Sequence, residues 1–264
     1  MEISAGITRL PGRSRGGGAG WRLALVGTAG LLAIPVLVIV ASLAGTYSPV
    51  WQHLIDTVLG EYAVNSLLLM LGVGLGTFCL GVSSAWLTAA CEFPGRSLFN
   101  WALLLPMAMP AYIIAYTYTG LLDFTGPLQS WLRETFDWGY GDYYFPRIRS
   151  LGGAVAMLSL VLYPYVYLLA RVAFAEQSTA LLEASRNLGR GPWRTFFGVA
   201  LPVARPAIAA GISLALMETL ADYGTVDYFG VSAFTTGIFR TWYGLGELQT
   251  AAQLAACLLL FVFV

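Results

Sequence analysis

Residues 183–202 read EASRNLGRGPWRTFFGVALP, a polar and arginine-rich stretch between two long apolar runs. The helix-forming residues of 176–188 predict a short helix that leads into this stretch. Three leucines are spaced to line one side of that helix: Leu181, Leu182 and Leu188. Gly189 ends the helix, because glycine tolerates left-handed dihedral angles, and a second helical segment follows over 193–201. We call residues 183–202 the ridge, since a helix, a bend and a second helix would suit a groove on a soluble partner.

The composition places the chain in a membrane. Hydrophobic residues make up 58% of it and charged residues only 11%, with a mean hydropathy of +0.71. A water-soluble domain holds about 25% charged residues, so the sequence predicts an all-α, polytopic bundle in a lipid bilayer. The net charge of zero gives no basic face for nucleic acid. One histidine and three scattered cysteines have no metal-ligand spacing, so neither a metal site nor a cofactor is predicted.

Six apolar runs predict about six transmembrane helices. They cover residues 23–43, 63–88, 98–120, 151–170, 206–224 and 248–264. A basic tail, 1–22, precedes them, and residues 23–264 are predicted to form one transmembrane domain that contains a polar loop over 176–205. The last run is still apolar at Val264 and is shorter than the roughly 20 residues of a full crossing, so we expect the chain to stop within its sixth span.

The arginines indicate the orientation. Ten of the fourteen fall in the tail, the 92–96 turn and the 171–205 region, and four fall in the segments between the other span ends. Positive residues concentrate on the cytoplasmic side, so the N-terminus and the ridge are predicted to be cytoplasmic. In the third span, Pro106 and Pro110 predict a kink. The long external segment 121–150 is rich in aromatic and acidic residues, which favours an interfacial aromatic belt over a ferric site.

Two acidic residues stand at membrane depth. Glu218 and Asp222 are four residues apart and share a helical face, with Glu218 roughly 20 Å beyond Arg205 along the fifth span. A carboxylate at that depth must face water or a partner, so Glu218 is expected to point into the bundle interior and line a substrate path. The alternative is structural: Glu218 caps a neighbouring helix or pairs with a polar group.

The ridge also carries a resemblance. Its matching positions are Glu183-Ala184-Ser185, then Gly189 after three residues, Val199 after nine more, and Leu201-Pro202 after one more. This spacing resembles the EAA loop of permease subunits of bacterial ATP-binding-cassette importers, with Ser185 and Val199 in place of the family's Ala and Ile. The resemblance implies a type I importer fold in the bacterial inner membrane. It also implies two cytoplasmic ATP-binding subunits docked on such loops, a second permease half and a periplasmic substrate-binding protein.

A second stretch resembles one branch of that family. Residues 218–230, ETLADYGTVDYFG, and 235–244, TTGIFRTWYG, are similar to the ferric-iron permeases, in which two halves are often fused. The chain is therefore expected to be the N-terminal half of such a permease. Thiamine, polyamine and sulfate permeases remain alternatives, because substrate identity resides largely in the binding protein.

Other classes of protein are less consistent with the sequence. The ridge could be an ordinary cytoplasmic loop with interfacial aromatics, but its fixed spacing would then be accidental. A secondary transporter would also have six or more spans and buried acids, yet it needs no ATPase. A membrane enzyme would need a clustered nucleophile or metal set. The chain has no GxxxxGK[ST] phosphate-binding loop, so it is predicted to be no enzyme, and ATP hydrolysis is expected in a separate subunit.

Overall fold

The computed structural model of the protein describes residues 18–139, 141–177, 183–185 and 187–263, and every regular element in these ranges is helical. The helices are α1 (Gly18–Ser42), α2 (Pro49–Thr57), α3 (Leu59–Ala90), α4 (Arg96–Ala102), α5 (Ala111–Leu122), α6 (Pro127–Phe136), α7 (Leu151–Ala175), α8 (Pro192–Ala221), α9 (Gly224–Tyr228), α10 (Phe234–Phe239) and α11 (Leu248–Phe263). A π-helical turn over Phe196–Ala200 lies within α8, and a second, Arg240–Gly244, follows α10. The all-α prediction is confirmed.

Three long helices, α3, α7 and α8, form the core. Glycines of α3 lie directly against α7: Gly72 against Val155, Gly76 against Ser159 and Gly81 against Val166. These pairs advance together along both helices, so α3 and α7 run parallel. Ala200, early in α8, packs in the same cluster as Phe174 near the end of α7. Ala215, late in α8, packs in the same cluster as Leu158 in the first half of α7. Helix α8 therefore runs antiparallel to α7. The small residues of α3 therefore allow it to pack closely against α7.

The third predicted span is broken rather than kinked. Residues Arg96–Ala108 and Ala111–Phe136 meet at 99°, and the break falls at Pro110, where the helix cannot continue. Side chains of α7 hydrogen-bond to carbonyls that are left free where α4 ends at Ala102. Tyr163 donates its hydroxyl hydrogen to the Leu103 carbonyl at 2.8 Å, and Tyr167 donates to the Asn100 carbonyl at 3.3 Å. Both donors lie on α7, which therefore holds the broken span against the core.

The number of membrane spans depends on how the broken segment is counted. Four described helices, α1, α3, α7 and α8, are long and apolar enough to cross, and the broken pair makes a fifth if it counts as one span. Apolar residues 248–262 of α11 form a shorter helix. Six crossings, as predicted, are reached only if both the bent pair and α11 are included. Helix α1 begins at Gly18, within the predicted basic tail, whose first seventeen residues lie outside the described ranges.

One element boundary differs from the predictions. The fifth span was predicted to begin near Pro206, but α8 is one helix from Pro192 to Ala221, and Pro206 lies inside it. Residues 121–150, predicted to be an external segment, contain the helix α6 at Pro127–Phe136. Proline at the first position of α6 pre-sets a helical φ angle and so starts this helix.

The end of α1 is joined to α11 by polar contacts. The indole N–H of Trp51 on α2 donates to Gln253 Oε1, and Gln253 Nε2 donates to the Ser42 carbonyl at 3.1 Å. Gln253 is fully buried, and these bonds satisfy its amide. One glutamine therefore ties α1, α2 and α11 together at the bundle end opposite the ridge.

Candidate functional site

The ridge has the predicted form of a helix, a bend and a helix. Residues 183–185 are helical, Gly189 adopts a left-handed conformation with φ 76°, and Pro192 begins α8. The Arg190 N–H donates to the Ser185 carbonyl at 3.2 Å, which closes the turn. An L-amino acid at Gly189 would be strained, so the bend depends on glycine. Of the predicted helix over 176–188, residues 178–182 and 186 lie outside the described ranges.

Hydrogen bonds fix the ridge to the bundle. Ser185 and Thr195 are both buried, and their hydroxyl oxygens lie 3.1 Å apart. The Gln177 side chain, at the end of α7, donates to the Ala200 carbonyl at 2.9 Å. The serine that departs from the EAA pattern is therefore matched by a second hydroxyl across the turn.

An aromatic cluster joins the ridge to the core. Phe196 is buried, and its ring centroid lies 5.0 Å from that of Trp86 on α3 and 6.2 Å from that of Phe174 on α7. Trp86 and Phe174 also contact each other edge to face, with centroids 5.2 Å apart. Displacement of the ridge would therefore push directly on both core helices, because close-packed side chains transmit strain.

The outer surface of the ridge is exposed and apolar, with one carboxylate. Leu188 is 80% exposed, Trp193 74% and Phe197 59%, and the Trp193 and Phe197 rings stack at 6.1 Å. Glu183 is also exposed, on the same side of the bundle. Leu188 was expected to line the apolar side of its helix, but most of its side chain is exposed. Leu181 and Leu182 lie outside the described ranges.

The C-terminal part of the ridge passes into α8 through the π turn. The Leu201 N–H donates to the Phe196 carbonyl, five residues back, in place of the usual four. Pro202 follows at once, has no N–H, and would clash with the Gly198 carbonyl in a regular helix. The wider turn accommodates that ring, so α8 continues through Pro202 instead of ending there. Val199, Leu201 and Pro202 are each half-buried at this junction.

The two predicted path residues have different surroundings. Glu218 does not point into the interior of this chain: its side chain is exposed on α8, next to Met217, which is 60% exposed. Asp222 lies just beyond α8, where Oδ1 accepts the N–H groups of Thr225 at 2.7 Å and Val226 at 3.2 Å. Asp222 therefore caps the start of α9. Capping a helix was the alternative role predicted for Glu218, and here Asp222 performs it.

An ion pair stands at the same end of the bundle as Asp222. Arg240 lies 3.4 Å from Asp227, and the Tyr223 hydroxyl donates to the other carboxylate oxygen of Asp227 at 3.4 Å. In the part of the chain that the structure describes, no group of three or more His, Cys, Asp or Glu side chains could hold a metal ion.

Three features of the site were not predicted from the sequence: the Ser185–Thr195 contact, the cap at Asp222 and the π turn. The partnership of Ser185 with Thr195 spans ten residues, and no local pattern marks it. The cap at Asp222 did leave a signal, since an aspartate three residues before Thr225 is a common start of a helix. The π turn also had a signal in Pro202, whose ring cannot fit against the carbonyl four residues back in a regular helix.

Comparisons with known proteins agree with this geometry. Residues 78–264 match the model of a family described as "Binding-protein-dependent transport system inner membrane component". The chain is 28% identical over 201 residues to the Fe(3+)-transport system permease protein FbpB 2 of Haemophilus influenzae, a match that covers 76% of this chain and 35% of that protein. It is 30% identical over 184 residues to the molybdenum transport system permease protein ModB of Escherichia coli, covering 69% of this chain and 72% of ModB.

A solved structure shares the fold. This is a bacterial alginate ABC transporter in complex with an alginate pentasaccharide-bound periplasmic protein. Its matching chain superposes with a TM-score of 0.68 at 17% identity, over 92% of this chain and 93% of that one. The chain thus spans about a third of the length of the ferric-iron relative and nearly all of the chain in the alginate transporter.

Proposed function

The chain belongs to the family of binding-protein-dependent transport system inner membrane components, and we propose that its ridge docks on a separate cytoplasmic ATP-binding subunit. One observation carries this proposal: the ridge exposes Leu188, Trp193 and Phe197 beside Glu183, yet Phe196 anchors it in the core. Exposed aromatic residues are typical anchors in protein interfaces. A surface that is apolar outside and rigidly held inside is suited to receive force from a partner.

The proposed mechanism is mechanical coupling. Closure of the ATP-binding subunits moves the ridge, and Phe196 passes the displacement to Trp86 and Phe174. Helices α3, α7 and α8 then tilt as packed bodies, which turns the pathway from one side of the membrane to the other. This chain supplies no catalytic group to the hydrolysis of ATP.

A second permease half completes the pathway in this proposal. The exposed position of Glu218 supports it, since a carboxylate at membrane depth needs water or a partner, and no described residue of this chain bonds to the Glu218 side chain. Glu218 would then face the pathway between the two halves, where Glu218→Gln should slow uptake and leave assembly with the ATPase intact. Asp222 would stand at the outer end of that face and keep its cap on α9. A periplasmic binding protein would deliver the substrate at that end.

Ferric iron is the substrate that the sequence favours, through the resemblance of residues 218–230 and 235–244. The similarity to a ferric-iron permease supports it over 76% of this chain. An oxyanion is a second candidate, because the molybdenum permease ModB is 30% identical over 184 residues. The soluble binding protein that pairs with the chain would separate these candidates, according to whether it retains iron or molybdate after purification.

Docking is tested by substitution of the ridge in the assembled transporter. In Glu183→Ala and Gly189→Val, substrate uptake and its coupling to ATP hydrolysis should fall about tenfold or more, because each change removes a contact or strains the bend. Glu134→Ala is the matched control: this glutamate is exposed on α6 at the other end of the bundle, and its loss should leave uptake unchanged. Membrane insertion should be normal in all three variants. Wild-type uptake in both ridge variants would refute the docking role.

A further inference from the structure

Two phenylalanines stand side by side at the π turn that joins the ridge to α8. Phe196 is 9% exposed and packs on Trp86 and Phe174, whereas Phe197 is 59% exposed. The two rings meet edge to face, with their centroids 4.8 Å apart. Side chains of identical size and shape therefore occupy successive positions where the ridge enters the core, one ring inside it and one outside.

The π turn decides which of the two rings is buried. The Leu201 N–H bonds to the Phe196 carbonyl, five residues back, so this turn holds one residue more than a turn of α-helix. Phe196 begins a buried stripe that continues with Ala200 and Ala204 along α8. If the turn closed to a regular α-helical turn, the chain before it would rotate by one residue, about 100°, relative to that stripe. Phe197 would then stand where Phe196 stands now.

Pro202 favours the arrangement that the structure shows. In a regular helix its ring would clash with the Gly198 carbonyl, whereas the wider turn leaves room for the ring. Gln177 fixes the other side of the turn, because its side chain donates to the Ala200 carbonyl at 2.9 Å. The end of α7 therefore holds the chain from Ala200 onwards, and a change of the turn rotates the part of the ridge that precedes it.

We propose that the ridge has two registers, and that closure of the ATP-binding subunits switches it from one to the other. In the register seen here, Phe196 packs between Trp86 and Phe174; in the second, the turn is α-helical and Phe197 takes that place. Because the core buries a phenylalanine ring in both, the junction has two discrete packed arrangements. The surface that the ridge offers to its partner turns by about 100° between them. The part played by ATP rests on the proposed function, whereas the two registers rest on the geometry of this chain alone.

Thermal unfolding of the purified permease tests whether the second register exists. In the wild-type background, Phe196→Ala should lower the unfolding temperature by several degrees and Phe197→Ala hardly at all, because only the Phe196 ring is buried. In a Pro202→Ala background the clash that disfavours the α-helical turn is gone. The order should then reverse, with Phe197→Ala the costly change and Phe196→Ala the mild one.

Pro206→Ala provides the matched control background, because Pro206 also lies inside α8 but outside the π turn. There the two phenylalanine variants should keep their wild-type order. Gel filtration should show that Pro202→Ala and Pro206→Ala are both folded. If Phe196→Ala remains the costlier change in the Pro202→Ala background, the ridge has a single register and the proposal is wrong.

Fluorine NMR of the assembled transporter tests whether ATP drives the switch, and it needs no proline variant. 4-Fluorophenylalanine, placed at position 196 or at position 197, keeps the size of the ring, and a water-soluble gadolinium chelate broadens the signal of an exposed label. At rest, the label at 197 should be broadened and the label at 196 spared, as their burial requires. In the complex trapped with ATP and vanadate, the label at 196 should become broadened and the label at 197 spared.

Exposure of the ring at position 196 is the diagnostic result. Docking of a partner can cover Phe197, but docking alone cannot bring Phe196 out of the core. A label at 196 that stays shielded in the trapped complex would therefore overturn the proposal, even where the partner is bound. Failure of docking itself is seen separately, as uptake that does not change in Glu183→Ala and Gly189→Val, and the unfolding measurement needs no ATP-binding subunit.

Discussion

At the scale of single residues, the hydroxyl pair of Ser185 and Thr195 is the most direct target. Both side chains are buried, so Ser185→Ala leaves the Thr195 hydroxyl without a partner and should cost about 1–3 kcal/mol. The double variant Ser185→Ala/Thr195→Val removes both polar groups and should recover most of that loss. Thermal unfolding of the purified permease measures both effects. Equal stability of Ser185→Ala and wild-type protein would show that the pair contributes nothing.

Single residues also show how far the sequence could define the site. The bend at Gly189 was predictable, because few residues other than glycine adopt its left-handed conformation. The surroundings of Glu218 were not, because helical spacing tells which residues share a face but not which neighbour covers that face. The roles of Glu183 and Glu218 in transport stay predictions until the ridge and path variants are measured.

At the scale of helices, the contact between α7 and α8 depends on Gly211. A Cβ atom on Gly211 would lie 2.8 Å from the Val166 Cα and 3.1 Å from the Tyr165 carbonyl oxygen, and backbone cannot move aside as a side chain can. Gly211→Ala should therefore force the helices apart and cost about 1–3 kcal/mol. Gly74→Ala is the control, since its Cβ would meet Leu216 at an ordinary 3.5 Å. It should leave the unfolding temperature unchanged or raise it, and equal losses in both variants would contradict the packing argument.

Helix boundaries show where local patterns fail. The long apolar runs located α1, α3 and α7 correctly, because a span needs a fixed length of apolar chain. The sequence predicts a helical segment that ends at Leu201, before Pro202, yet α8 passes through Pro202 by widening to a π turn. Pro110, by contrast, does break its span, at 99°. Whether proline breaks, ends or merely widens a helix depends on neighbours that can satisfy the freed groups, such as Tyr163, and these are distant in sequence.

At the scale of the whole molecule, two opposite ends of the bundle carry different chemistry. The ridge lies at one end with the turn where Arg96 donates to the Thr88 carbonyl at 2.7 Å. The other end holds the Asp227–Arg240 pair and the Gln253 junction. The antiparallel course of α8 relative to α3 and α7 sets this separation.

The arginine distribution predicts which end faces the cytoplasm, and labelling can test it directly. In a background with Cys79, Cys91 and Cys257 replaced by alanine, Trp193→Cys reports on the ridge, and Tyr144→Cys, at a position 91% exposed, reports on the opposite end. A membrane-impermeant maleimide should label Trp193→Cys only in inverted vesicles and Tyr144→Cys only in spheroplasts. Each variant is the control for the other, because one reagent must reach each of them from a different side. The reverse pattern would put the ridge outside, where no ATP-binding subunit could reach it, and the coupling mechanism would then be wrong.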